Sequence, residues 1–398
     1  MVNPKPVNDS YPHQSLTRRR FLRLGGTSTA ALLLAGCGIK SMSLSSDTAV
    51  RAPVQSFQNN AFVPDLDLAL AARPGTAAIL PGVETQIYRY ASEVLQGDAD
   101  AVETLNGYLG PIIRVNRGHK IRIHFRNELA EESIIHWHGL VIPEAMDGHP
   151  RFAIAPGETF VYEFEVENRA GTYWFHPHPH GLTGSQVYNG LAGLFIVSDE
   201  EEAALDLPSD EHDIALVIQD RLFDNDNQFV YTAANNTASG GMMGHGNMGG
   251  MMGGMTGGGM DSMMAQMMGQ RGDRILVNGA PDAVLDVATQ AYRLRLLNGS
   301  NSRIYKLAWS DDTPLTVIGS DGGLLAAPQQ KPYVTLAPGE RVELWADFSG
   351  YPVGTELQLR SLAFSAFEMG GMMMDMGQDA LPSGAPFPVL DVRVASAA

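Results

Sequence analysis

The sequence predicts an all-β chain of two successive β-sandwiches, and three observations carry that prediction. From about residue 60 onward, period-two alternation dominates and no long helical period appears. KIRIHFRNEL (120–129) sets Ile121, Ile123 and Phe125 against Arg122, His124 and Arg126, and TFVYEFEV (159–166) alternates Phe160, Tyr162, Phe164 and Val166 with polar partners. Turns such as APGE (155–158) separate these runs, which is the punctuation of an antiparallel sandwich. The third observation is an internal echo. YRLRLLNGS (292–300) repeats the pattern of KIRIHFRNE, and LAPGERVELWADF (336–348) repeats IAPGETFVYEFEV (154–166), so one build occurs twice.

The segments follow in order. TRRRFLRL (17–24) and the short apolar run GGTSTAALLLAGC (25–37) have the basic, apolar and small-residue regions of an export signal. The apolar run is too short to span a bilayer. Thr17-Arg18-Arg19-Arg20-Phe21-Leu22 resembles a twin-arginine signal. LAGC (34–37) resembles a lipobox, which would make Cys37 a lipidated N-terminus anchored to a membrane. Residues 1–36 are therefore read as signal and 37–59 as tether, in a protein of the periplasm or cell envelope. Residues 60–200 are read as the first sandwich and 210–395 as the second, joined through the acidic stretch DEEEAALDLPSDEH (199–212). Lys and Arg number 27 against 44 Asp and Glu, a net charge of −17, which excludes a nucleic-acid partner. A single cysteine excludes an intrachain disulfide.

One segment breaks the strand pattern. Residues 241–269 form a Met/Gly-rich insertion with no periodic face to bury, which predicts disorder. Its Met242, Met243, His245, Met248, Met251, Met252 and Met255 are candidate ligands for Cu(I), which soft thioethers select. A second cluster holds Met369, Met372, Met373, Met374 and Met376.

HWHG (136–139) and HPHPHG (176–181) each place histidines at i and i+2, hence on one face of a strand, about 7 Å apart. Two such strands side by side would converge four imidazoles on neighbouring metal ions. Imidazole suits zinc, copper, iron and nickel alike, and the Met clusters tilt the choice to copper.

IIHWHGLVIPEAMDG (134–148), GTYWFHPHPHG (171–181) and LTGSQVYNGLAGLFIV (182–197) resemble the first domain of a multicopper oxidase, and RLRLLNGSNSR (293–303) with VIGSDGGLL (317–325) resembles the second. The periplasmic cuprous oxidases and copper-resistance oxidases, which also carry Met-rich segments, are the group it is similar to. The resemblance implies two cupredoxin-like Greek-key domains in tandem, and His136 as the type 2 copper ligand of a trinuclear cluster. It likewise implies His138, His176 and His178 as type 3 ligands, and Asp147 as an acid that assists proton delivery. His180 would support the ligands without joining them. His119, His124, His149 and His212 are expected at the surface, and His13 in the leader.

The family also needs a type 1 copper site with a thiolate, and four more cluster histidines in HxxHxH and HCHxxxHxxxxM motifs. No histidine follows His245 and the only cysteine is Cys37, so neither motif occurs in these residues. The chain thus resembles the first two-thirds of such an oxidase, with the type 1 site and half the trinuclear ligands absent. The implied reaction oxidises Cu(I) or phenolic-type substrates and reduces O2 to water, in copper tolerance. Turnover by this chain alone is not expected. It would need a third domain on a separate reading frame or a partner chain that supplies the missing ligands. The alternative is a copper-binding or storage lipoprotein that works without turnover. Four histidines left without their partners would expose bound copper to solvent, with affinity falling as pH drops through about 6.5.

Overall fold

The computed structural model describes residues 61–105, 107–231, 269–365 and 381–398. His13, Cys37, the tether and both Met clusters, including His245, lie outside the described residues. All described residues belong to one compact unit, Val54–Ala398. Among them no helix is long and apolar enough to cross a membrane.

The first half forms β1 (Leu66–Ala77), β2 (Thr85–Gln96), β3 (Val102–Glu103), β4 (Ile112–Asn116), β5 (Lys120–Asn127), β6 (Ile135–His138), β7 (Thr159–Glu165), β8 (Gly171–Pro177) and β9 (Gly193–Ser198). Two sheets result, ordered β2-β1-β5-β7 and β3-β4-β9-β8-β6. The predicted alternation in β5 holds: Ile121, Ile123 and Phe125 are fully buried, while Arg122, His124 and Arg126 lie on the outer face. Between the sheets sits Trp137, packed against Tyr162, Phe164, Phe175 and Phe195 with ring centroids 5.3–5.9 Å away. Burying a tryptophan completely stabilises a fold by several kcal/mol, on the order of the 3–5 kcal/mol lost on truncation. The residue between His136 and His138 therefore fastens β6, and both histidines necessarily face the other way.

The second half repeats the plan. A seven-stranded sheet is centred on Asp213–Arg221, Ala291–Asn298 and Arg341–Asp347, and a five-stranded sheet holds Tyr305–Trp309, Glu356–Ser361 and Phe387–Ser396. Ala291–Asn298 runs parallel to Asp213–Arg221 and antiparallel to Arg341–Asp347, as β5 does to β1 and β7. Even the asparagines correspond. Asn127 Nδ2 donates to the Glu131 and Ile154 carbonyls, and Asn298 Nδ2 to those of Arg303 and Leu336. The described residues form an all-β structure with two sandwiches of related build, as the repeats predicted.

In one respect the sheets differ from the antiparallel expectation: each contains one parallel pair. In the first sandwich, β3 and β4 of the opposite sheet intervene between β2 and β5, so β5 enters beside β1 in the same direction.

The two halves are joined by buried charge. In β5 the alternation turns Arg122 and His124 outward, but the equivalent Arg293 and Arg295 are 2% and 1% exposed. Glu343 accepts from both of them and from Thr172 Oγ1 of β8, and Arg295 also pairs with Asp213 at 2.6 Å. A loop of the second half straps the first as well: Asn227 Nδ2 donates to the Pro81 and Val83 carbonyls, and Thr85 Oγ1 donates to the Asn227 carbonyl.

Candidate metal centre

β6 and β8 are antiparallel neighbours, with His136 opposite His176 and His138 opposite Trp174. His178, just beyond β8, is held by its backbone N–H on the Ile134 carbonyl, 2.8 Å away. The four imidazoles converge. Ring centroids lie 5.7 Å apart for His136–His138, 5.3 Å for His136–His176, 5.3 Å for His136–His178, 5.5 Å for His138–His176 and 6.1 Å for His176–His178. Ligand atoms of His136, His138 and His176 all lie within 4.8 Å of one another, with His178 adjoining that group.

The hydrogen bonds choose the tautomers. His136 Nδ1–H donates to the Asp147 carbonyl at 2.8 Å, and His176 Nδ1–H donates to the Pro177 carbonyl at 2.9 Å, which leaves each Nε2 with a lone pair. His138 Nδ1 faces His176 Nε2 at 3.3 Å. Two nitrogens about 2.0 Å from one tetrahedral ion lie about 3.3 Å apart, so this separation suits a shared metal. His178 Nδ1 is buried without a hydrogen-bond partner; the Gly148 carbonyl acts on the ring but falls short of hydrogen-bonding geometry. An orphaned ring nitrogen, two free Nε2 atoms and an all-imidazole donor set fit copper.

Asp147 meets His136 twice, through its carbonyl and through Oδ1, which lies 3.2 Å from Nδ1. The turn that brings it there depends on Gly148, at φ +74°, where a Cβ would stand 1.9 Å from the Ile135 carbonyl oxygen. Asp147 therefore orients His136, the role that outer partners play at metal sites.

Burial sets the protonation of the rings. Desolvation first, and then the Arg341 charge, pushes His138 down to about 4. Desolvation pushes the deeply buried His176 down to about 3 and also lowers His178. The expected loss of ligand form near pH 6.5 is therefore corrected for His138 and His176, which stay neutral to lower pH because charging them means charging a buried ring. The sign for stability follows. Below 6.5 the unfolded chain takes up protons that the fold refuses, so stability falls with pH from 6.5 down to about 3–4. Urea unfolding of the metal-free protein should show a lower midpoint at pH 5 than at pH 7. Equal midpoints would refute the burial of these rings. Glu343 and Asp213, both held below their ordinary 4.5 and 3.8, add to the loss once pH falls below those values.

The remaining histidines divide. His180 is exposed and, among the described residues, makes no hydrogen bond to the four rings. His149 is exposed, its Nδ1 accepting from Arg151 N at 3.1 Å. His119 is half-buried, within 3.5 Å of Asn116 Nδ2. The other two expected surface histidines stay partly exposed and have partners. His124 is half-buried with Nε2 3.0 Å from Asp67, because β1 lies beside β5. His212 is half-buried against Tyr292, with rings 5.1 Å apart, and lies beside Gln290.

The sequence reading missed three residues at the site. Trp174 lies 5.0 Å from the His138 ring and 4.3 Å from that of His176, and is buried with its Nε1 unpartnered. Gly339 and Arg341 reach His138 and β8 from the second half of the chain. Only the second APGE copy could have pointed to them.

Comparison with known proteins gives a consistent result. A family model described as multicopper oxidase matches residues 88–202. A laccase of Bacillus stratosphericus is 34% identical over 62% of this chain and 51% of its own length. The cell division protein FtsP of Sodalis glossinidius is 32% identical over 90% of this chain and 64% of its own. The McoA multicopper oxidase of Aquifex aeolicus is 34% identical, with a TM-score of 0.65, over 85% of this chain and 63% of that one. The chain spans about half the length of the first curated relatives it matches.

Proposed function

Because this chain belongs to the multicopper oxidase family, we propose that it holds copper through His136, His138, His176 and His178 as part of an oxygen-reducing oxidase of the cell envelope, acting in copper tolerance. The observation that carries this reading is the 3.3 Å approach of His138 Nδ1 to His176 Nε2 inside a cluster of four convergent rings. Copper bound there supplies one-electron redox chemistry. The chain's own residues do the rest. The Asp147 and Pro177 carbonyls fix which nitrogen of His136 and His176 is free, and burial keeps the His138 and His176 imidazoles neutral. Trp174 packs against the rings of both His138 and His176. Asp147, its side chain 42% exposed, links His136 to solvent and is placed to pass protons.

The complete reaction, oxidation of Cu(I) or phenolic-type substrates coupled to O2 reduction, needs a type 1 thiolate and further histidines. We assign those to a segment or partner chain that completes the cluster. The export signal, and the lipid anchor at Cys37, belong to the same reading.

Equilibrium dialysis tests it. The protein with residues 241–268 and 369–376 deleted should retain Cu(II) at the structured site, without an intense blue thiolate band. No retained copper would sink the reading, and an intense blue band would overturn the assignment of the type 1 site to another segment or chain.

A second reading, copper holding without turnover, is favoured by where the two Met-bearing segments join the fold. Leu381 N, which follows one, donates to the carbonyl of Gly272, which follows the other, at 3.2 Å. Arg303 Nη2 donates to the carbonyls of both residues, at 2.6 and 2.9 Å. The described residues that follow the two Met-bearing segments thus meet on Arg303. Oxygen uptake with Cu(I) separates the readings: uptake supports the oxidase, and copper retained without uptake supports the holder.

A further inference from the structure

The APGE turn occurs twice with the same internal bonding and different surroundings. Ala155 N donates to Glu158 Oε2 at 2.8 Å, and Ala337 N to Glu340 Oε2 at 2.6 Å. Gly157 N donates to the Asn127 carbonyl at 2.7 Å, and Gly339 N to the Asn298 carbonyl at 2.8 Å. Both glycines are left-handed, at φ +80° and +81°. A Cβ on Gly157 would meet nothing within 4 Å. A Cβ on Gly339 would lie 3.4 Å from His138 Cε1, 3.5 Å from Trp174 Cζ2 and 3.8 Å from His138 Nε2. The first copy is a bare surface turn, and the second is docked on a candidate ligand of the other sandwich.

Arg341 secures the docked copy. It is 4% exposed and donates through Nη1 to the Gly339 carbonyl, through Nη2 to the Asp321 carbonyl and through Nε to the Thr172 carbonyl of β8, each at 3.0 Å. Its Nη1 also lies 2.9 Å from the Asp321 carboxylate. The turn is thereby tied to the strand that carries His176. An imidazole torsion is soft and roughly two-fold, so a half-exposed ring needs outside contacts to hold one orientation. Trp174 covers one face of His138 at 5.0 Å and 30°, and the Gly339 turn stands beside the Cε1–Nε2 bond, close enough that a Cβ on Gly339 would touch it.

We propose that the Ala337–Glu340 turn of the second sandwich positions His138 for metal ligation, with Gly339 fixing the ring from behind and Arg341 anchoring the turn to β8. The proposal rests on the copper reading of the four histidines. The first sandwich would then depend on the second for a competent half-site.

The repeat provides its own control. Gly339→Ala and Gly157→Ala impose the same left-handed strain, but only Gly339→Ala adds a methyl beside His138. Two readouts apply: the imidazole resonances of His138 in the metal-free protein, and Cu(II) affinity by chelator competition. Gly339→Ala should shift the His138 resonances and change copper affinity, because its methyl enters van der Waals contact with the ring and with Trp174. Gly157→Ala should leave both at wild-type values. Identical behaviour of the two variants would overturn the proposal. Should Gly339→Ala fail to fold, Arg341→Lys keeps the charge but not the three-carbonyl grip, and should move the His138 resonances in the same sense. Wild-type resonances in that variant would equally overturn it. If the wild-type protein bound no copper, the ligand reading would fall, while the metal-free resonances would still decide whether the turn positions the ring.

Discussion

Leucine in place of Glu343 is expected to lower the free energy of unfolding by about 3–5 kcal/mol, the cost of removing one partner from a buried ion pair. Glu343 is fully buried between the sandwiches. Its Oε1 accepts from Thr172 Oγ1 at 2.7 Å and Arg295 Nη1 at 3.0 Å, and its Oε2 from Arg293 Nε at 3.0 Å. Without it, Arg293 keeps Glu202, and Arg295 keeps Asp213, the Thr172 hydroxyl at 3.1 Å and a longer approach to Glu202, but Arg293 Nε and the Thr172 O–H lose their acceptor in a buried place. Urea unfolding followed by tryptophan fluorescence measures the loss. The comparison variant is Arg393→Ala, which breaks a two-bond pair with Asp286 that is about half exposed. Solvent screens that pair, so its removal should produce no measurable change. If the two variants lose equal stability, the buried network does not weld the sandwiches.

The second large effect concerns the metal. His176→Ala combined with His178→Ala should weaken copper binding at the structured site by at least about a hundredfold, since loss of an outer partner alone costs 10–100-fold. The double variant removes the buried Nε2 that faces His138 and the ring whose Nδ1 is orphaned. The measurement uses protein lacking 241–268 and 369–376, so that thioethers do not mask the loss. Circular dichroism confirms the fold. Because His176 is deeply buried, His136→Ala at the more exposed edge serves as a second variant with the same expected direction. Unchanged copper stoichiometry and affinity in both would refute the ligand assignment.

Much of this was legible in the sequence, because both strand periodicity and ligand spacing are local. Alternation in β5 and β7, the repeated turn-to-strand units and the two HxH pairs place β6 and β8 and name all four convergent histidines. They do so because side chains at i and i+2 of a strand must share a face. Asp147 was legible only through the family resemblance, since nothing local in MDG says that the turn returns to His136.

What the sequence could not decide is what lies against each strand's second face. KIRIHF and YRLRLL read alike, yet Arg122 faces outward and Arg293 is buried, because only the second strand is covered by the other sandwich. APGE reads alike twice, yet one copy is bare and the other rests on His138. The alternation that names His138 as a ligand is silent on Trp174, Gly339 and Arg341, which come to its ring from a neighbouring strand and from 200 residues downstream. Local sequence determined the strands, the repeat and the four convergent histidines, since each depends on dihedral preference and spacing within a few residues. Burial, charge compensation and the orientation of the rings depend on which surfaces meet, and only the packing of the two sandwiches decided them.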